Sequence, residues 1–247
     1  MKIKKKYPAC FLFVNERRNF NLKKYYFTLP ENLFIVVPSL WLKHEIEQSF
    51  LSKYPCSVIY NGVNTEIFKP QSPLQNSKKI ILGVASVWEE RKGLKDFVKL
   101  SDMIRDDEII WLVGVSPSQA KSLPSKIKCI QRTETIEQLV LYYSSALVFL
   151  NLTYEDNFPT TNLEALACGT PVITYKTGGS PEAINERTGF VVEPGDLTAV
   201  ANAISEIEKN GKAYYSDFCI ERVKTNFNKE KNYENYLQLY EKIKKSI

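Results

Sequence analysis

Eight short apolar runs, mostly rich in β-branched residues, punctuate the chain. They are 33–37 (LFIVV), 57–60 (SVIY), 80–87 (IILGVASV), 109–115 (IIWLVGV), 127–131 (IKCIQ), 146–152 (ALVFLNL), 172–175 (VITY) and 190–192 (FVV). Most lack polar alternation, as strands covered on both faces do. Stretches with helical character lie between them at 39–54, 94–105, 116–123, 135–144, 162–168 and 197–209. This alternation predicts an α/β fold with a doubly wound parallel sheet. The polar stretch 69–79 (KPQSPLQNSKK) holds two prolines and reads as a linker or surface loop. It separates about 60 N-terminal residues from the main α/β body. At the other end, Tyr233, Tyr236, Leu237, Leu239, Tyr240 and Ile243 recur at mostly helical spacing, predicting a terminal helix packed on another element.

In such sheets ligands bind beyond the carboxyl ends of the strands. The run 146–152 leads directly into TYEDNFPTT, and 172–175 into KTGGSPE, so both segments lie at the expected ligand edge. Thr160, Thr161 and Asn162 can cap a helix start, and Pro159 suits a helix entrance because it has no N–H to leave unpaired. Gly169 fits a left-handed helix end, and Pro171 blocks continuation. The start of this short helix offers unpaired N–H groups and a partial positive charge, which suits phosphate. Glu155, Asp156 and Glu164 surround it, and carboxylates accept hydrogen bonds from sugar hydroxyls. The competing reading is that these acids only complement the helix dipole. Arg91 and Lys92 precede Gly93 at another strand end, where two cations would neutralise a diphosphate; taken alone they are ordinary surface charges. Gly178 and Gly179 permit close backbone approach to a ligand, or form a plain turn.

Composition narrows the function classes. A chain of 247 residues can bury a core as one large domain or two small ones. Its net charge of +5 would help hold phosphorylated ligands or meet an anionic membrane surface, but does not by itself imply nucleic acid. Aromatic and basic residues are not interleaved along one face, which argues against a nucleic-acid binder. Five scattered cysteines (Cys10, Cys56, Cys129, Cys168, Cys219) form no metal-binding spacing and read as free thiols of a reducing compartment. The single histidine, His44, lies in a helix-like segment and argues against triad hydrolysis. There is no G-x-G-x-x-G or Walker loop, and no D-x-D pair to carry a divalent metal. No metal or other cofactor is therefore expected. The N-terminal MKIKKKYPACFLFV makes a poor signal peptide, and no apolar run approaches a membrane span. A cytoplasmic protein is expected, with Lys2, Lys4, Lys5 and Lys6 suited to touching the inner face of a membrane.

In series, VIYNGVNTEIFKP, ILGVASVWEERKGL, EDNFPTTNLEALACGTPVIT, TGGSPEAI and TGFVVEPGD cover roughly residues 57–200. In order and spacing they resemble the retaining GT-B glycosyltransferases of family four, the glycosyl transferases group 1. The resemblance implies a Rossmann-like donor-binding domain over 61–225. Residues 1–60 would resemble the last part of the acceptor-side domain, with about 100–150 residues of that domain lacking a counterpart. Residues 226–247 would form a helix packing back towards the N-terminal segment.

Glu164 matches the second acid of the family's E-x7-E motif, which holds the donor ribose. Asp156 falls on the first position, near the donor sugar, with Glu155 one residue out of register. Lys92 matches the lysine on the donor diphosphate; its usual arginine partner would fall on Val87, and Arg91 is the nearest replacement. Thr160, Thr161, Gly178 and Gly179 complete the implied donor site. The implied reaction moves a sugar from a nucleoside-diphosphate donor to an acceptor hydroxyl of a glycan or lipid-linked saccharide, with retention, in polysaccharide or glycoconjugate synthesis. A non-catalytic nucleotide-sugar-binding module, working with a separate acceptor-side chain, is the alternative.

Overall fold

The computed structural model describes residues 16–245. Cys10 and the lysines at 2, 4, 5 and 6 lie outside the described residues. The chain runs α1 (Glu16–Thr28), β1 (Ile35–Val37), α2 (Leu40–Glu47), β2 (Cys56–Val58), β3 (Lys79–Val84), α3 (Leu94–Ser101), β4 (Glu108–Val113), α4 (Pro117–Ala120), β5 (Ile127–Ile130) and α5 (Ile136–Ser145). It continues through β6 (Ala146–Asn151), α6 (Thr160–Ala167), β7 (Val172–Tyr175), β8 (Gly189–Val192), α7 (Leu197–Asn210), α8 (Lys212–Asn226) and α9 (Lys229–Lys244). Strands β3 to β8 form one parallel sheet in the order β5-β4-β3-β6-β7-β8. Helix α3 packs with α7, while α5 and α8 both pack on α6, forming separate helix layers of a doubly wound fold. The expected fold class is the observed one.

The sheet interior follows from its continuous apolar strands. Ile81, Leu82, Ile110, Leu112, Phe149 and Leu150 are buried in the central strands, each worth about 1.5–3 kcal/mol relative to exposure. Phe97 of α3 seals the β3 side; a Cβ on Gly83 would come within 2.7 Å of its ring. The chain leaves β3 for β4 and β5, then returns to place β6 on the other side of β3. The carboxyl ends of β3 and β6 therefore border the sheet's topological switch point, where open α/β sheets bind ligands.

Strands β1 and β2 form a separate parallel pair. Their segment joins the large sheet through a few specific contacts. The Glu182 carboxylate accepts the backbone N–H of Leu40 and of Trp41, each at 2.8 Å, and the Tyr60 hydroxyl at 3.0 Å. Tyr60, Phe158 and Phe227 meet with ring centroids 5.1–5.6 Å apart. Val63 bridges to Asn228, and Asn232 of α9 donates to the Tyr60 carbonyl at 2.9 Å.

Several boundaries differ from expectation. The helix expected over 39–54 ends at Glu47, where Ser49 bonds back to Ile46 and opens a turn. The strand expected to reach 87 stops at Val84, and the helix after Gly93 stops at Ser101 rather than 105. Helix α6 starts at Thr160, with Pro159 at the cap and no side-chain cap bond, so Asn162 is an interior residue. Helix α8 was not anticipated. The stretch 69–79 is tied to α5, with Gln71 and Leu74 donating to the hydroxyls of Ser144 and Ser145 at 3.0 and 2.8 Å, and its last residue opens β3.

Candidate functional site

The turn after β3 is a short 3-10 helix, Glu90–Lys92, closed by Gly93. Gly93 has φ 74°, and a Cβ there would lie 2.1 Å from the Leu152 carbonyl oxygen. Only glycine lets this turn lie flat against the end of β6. Consequently the cations of one loop face the acids of the other. Lys92 Nζ donates to Asp156 Oδ2 at 2.7 Å, with side chains only 22% and 20% exposed. Arg91 Nε donates to Glu89 at 2.9 Å, and its Nη1 reaches the Glu155 carbonyl at 3.4 Å.

The acid-bearing loop 152–159 is fixed along its length. Tyr154 N–H donates to the Arg91 carbonyl at 2.7 Å, and the Thr177 hydroxyl donates to the Thr153 carbonyl at 2.7 Å. The Gly179 N–H donates to the Asp156 carbonyl at 3.3 Å. Gly178 has φ 52°, and a Cβ there would sit 1.8 Å from the Asp156 carbonyl oxygen; one on Gly179 would sit 2.1 Å from that of Asn157. The glycine pair was expected to admit a ligand. The pair lies close against the chain's own acidic loop, and Gly178 also lines the cleft beside it.

An open cleft of about 930 Å³ runs along this edge. Arg91, Glu155, Asp156 and Gly178 line it, together with Trp41 of α2 and Asp96 of α3. Lys92, Thr160, Thr161, Glu164 and Gly179 are outside its lining. Val87, where the resembling family would place an arginine, is 58% exposed and has no charge to offer.

Glu164, one turn into α6, is largely buried. Its Oε2 accepts the Tyr143 hydroxyl at 2.9 Å. Burial pushes its carboxyl above the ordinary value, and hydrogen bonds from Tyr143 and Thr160 pull against that rise. The start of α6 is held by a buried network in which Asn151 donates to Asn162, and Asn162 to Ser180, at 2.8 and 2.9 Å.

Two acids escaped the sequence reading. Asp96 is buried and accepts the hydroxyls of Tyr154 and Tyr175 at 2.6 and 2.9 Å, tying the acidic loop to α3. Burial and the Asp96 hydrogen bond push the Tyr154 hydroxyl up to about 12. Glu182 is the second, spent on the α2 N-terminus. The D of GLKDF and the E of GGSPE were visible, but nothing local marks either as buried or bonded over a long sequence distance. Among the described residues no group of three or more His, Cys, Asp or Glu side chains is placed to hold a metal ion. No helix among them is long and apolar enough to cross a membrane.

Comparison with known proteins bears on this arrangement. Residues 78–210 match the model of the family "Glycosyl transferases group 1". N-acetyl-alpha-D-glucosaminyl L-malate synthase of Bacillus anthracis is 24% identical over 203 residues, covering 74% of this chain and 52% of its own. The chain spans roughly half to three fifths of the length of the first curated relatives it matches. Among solved structures, sucrose-phosphate synthase from Thermosynechococcus elongatus superposes with TM-score 0.80 at 24% identity, over 94% of this chain and 63% of that one. Anabaena Alr3699/HepE in complex with UDP-glucose gives TM-score 0.72 at 16% identity, over 92% and 68%. The family model matches more than half of the sequence and the sheet agrees with these structures, so the chain belongs to the glycosyl transferases group 1 family, with the Rossmann-like sheet of a GT-B glycosyltransferase.

Proposed function

We propose that this chain binds a nucleoside-diphosphate sugar at the β3–β6 edge and takes part in transferring the sugar, with retention, to an acceptor hydroxyl on a glycan or lipid-linked saccharide. The observation that carries the reading is the Lys92–Asp156 pair at the switch point. A half-buried ammonium held by a neighbouring carboxylate is poised to exchange partners when a diphosphate arrives. Arg91, which lines the cleft beside this pair, adds a second cation. The start of α6, at Thr160 and Thr161, contributes its dipole and amides to the phosphate side. Asp156, released from Lys92, and Glu155 then accept hydroxyls of the donor sugar, and Glu164 those of the ribose. Rate acceleration comes from stabilising charge on the departing diphosphate and from positioning the acceptor. The structurally similar Anabaena Alr3699/HepE is itself in complex with UDP-glucose, a donor of this class. Acceptor contacts come from a facing domain or a separate chain, with peripheral contact to a membrane when the acceptor is lipid-linked.

A second reading, donor binding without turnover, is favoured by Val87. The exposed valine leaves the position of the family's arginine without a cation, and Arg91 has to serve from another place in the turn. Calorimetric titration with UDP, GDP and ADP, with and without added Mg2+, followed by donor hydrolysis in the same samples, separates the readings. Binding with hydrolysis supports the transferase, and binding alone supports the module. Lys92→Ala should weaken the diphosphate far more than the bare nucleoside; equal loss for both refutes the diphosphate role.

A further inference from the structure

We propose that Tyr143 is the positioning residue of the candidate donor site, its hydroxyl fixing the Glu164 carboxylate for hydrogen bonds to the donor ribose. The inference rests on the ribose role proposed for Glu164. Tyr143 is fully buried near the end of α5 and is held in three ways. Phe149 meets its ring edge-on at 5.5 Å and Phe68 at 6.4 Å. Its carbonyl accepts the Thr170 hydroxyl at 2.6 Å and the Lys212 ammonium at 3.4 Å. With ring and backbone both fixed, the hydroxyl has one place to go, and it donates to Glu164 Oε2 at 2.9 Å. A residue serving only the core could be phenylalanine. Here the one polar atom of a buried ring is spent on a carboxylate one turn into the helix at the ligand edge.

A carboxylate accepts roughly four hydrogen bonds. Tyr143, with Thr160 as the second hydroxyl, therefore orients Glu164 while leaving acceptor positions for a ligand. The same bond works against protonation of the carboxylate. Burial favours the neutral acid, and the hydroxyl donors oppose it. The groups around Glu164 are Tyr143 on α5, Thr160 and Cys168 on α6, and Lys212 of α8 beside Cys168. Cys168 is pushed up to about 12 by burial and stays neutral, so it sets no second negative charge beside the acid.

The experiment compares native, Tyr143→Phe and Glu164→Gln chains. Carboxyl-labelled glutamate followed by NMR from pH 4 to 8 gives the Glu164 midpoint, assigned by its absence in Glu164→Gln. Tyr143→Phe should raise that midpoint, because the carboxylate loses a donor that favours its charged form. UDP and uridine titrations should show a loss of about three- to tenfold for both ligands in Tyr143→Phe at neutral pH. In the Glu164→Gln background the same change should cost nothing further. An unmoved midpoint overturns the positioning role. A Glu164→Gln chain that binds UDP as the native chain does overturns the ribose reading instead, and a native chain that binds none of UDP, GDP or ADP removes both. Should Tyr143→Phe fail to fold, the Tyr143 hydroxyl proton of the native chain must shift with the Glu164 midpoint, and a flat response overturns the proposal.

Discussion

Glu182→Ala is the sharpest test of how the N-terminal segment is fastened to the sheet. One carboxylate accepts three donors: the amides of Leu40 and Trp41 and the hydroxyl of Tyr60. Hydrogen bonds to a charged group are worth about 1.5–3 kcal/mol each when the freed donor stays dry. Leu40 and Trp41 are 57% and 39% exposed, so water replaces much of what their amides lose. The two amides together then fall to the helix-cap scale of about 0.5–2 kcal/mol. Ser39, the N-cap residue, still accepts the Leu42 N–H, which limits the damage further. Tyr60 is less exposed, and its hydroxyl adds about 1–2 kcal/mol. The expected cost is about 1.5–4 kcal/mol in all. Urea unfolding gives the total, and native-state hydrogen exchange locates it. The amides of Leu40 and Trp41 should lose protection while those of β3 and β6 lose only the global amount. A variant within about 0.5 kcal/mol of the native chain, with both amides as protected as before, would refute the clasp.

Gly93→Ala should destabilise by about 1–3 kcal/mol, because the position needs a left-handed backbone and the new Cβ would press on the Leu152 carbonyl; an unchanged urea midpoint would contradict the packing of the two loops. Lys212 gives a pH signature. Burial pushes its ammonium from 10.5 down to about 8, so between those values the folded chain holds fewer protons than the unfolded one. Stability should therefore rise as pH climbs through about 8. Above about pH 9 the buried thiols Cys168 and Cys219, both pushed up to about 12, work in the opposite sense. Urea midpoints at pH 7 and 8.5 should differ in the native chain and differ less in Lys212→Gln; an equal difference in both would exclude Lys212 as the source.

The main sheet was legible because its strands carry the signal locally. Runs such as VITY and ALVFLN are buried on both sides, and no tertiary information is needed to read them. Helix α8 was not legible for the opposite reason. It buries only Tyr215, Cys219 and Val223, a stripe one residue wide among lysines, glutamate and aspartate. At the candidate site, motif spacing pointed to Lys92 and Asp156, and the fold joins them at 2.7 Å. Tyr143, Asp96 and Glu182 were invisible because each acts across a long stretch of chain, from 21 residues for Tyr143–Glu164 to 142 for Leu40–Glu182. Pattern reading finds residues that share an element; it has no access to partners that only folding brings together.

The acidic loop 152–159 is bonded to the turn after β3, to Thr177 and Gly179, and through Tyr154 to Asp96. Its shape is therefore settled during folding, before any ligand arrives. Little conformational entropy remains to be lost at this loop on association. Binding at this edge should show a small ordering penalty, since the backbone that carries the acids is already in place and only the Lys92–Asp156 pair has to part. Altered ligand preference would come more readily from exchanging the exposed side chains of Glu155 or Arg91 than from lengthening the loop. An insertion would break every bond that holds the acids in register.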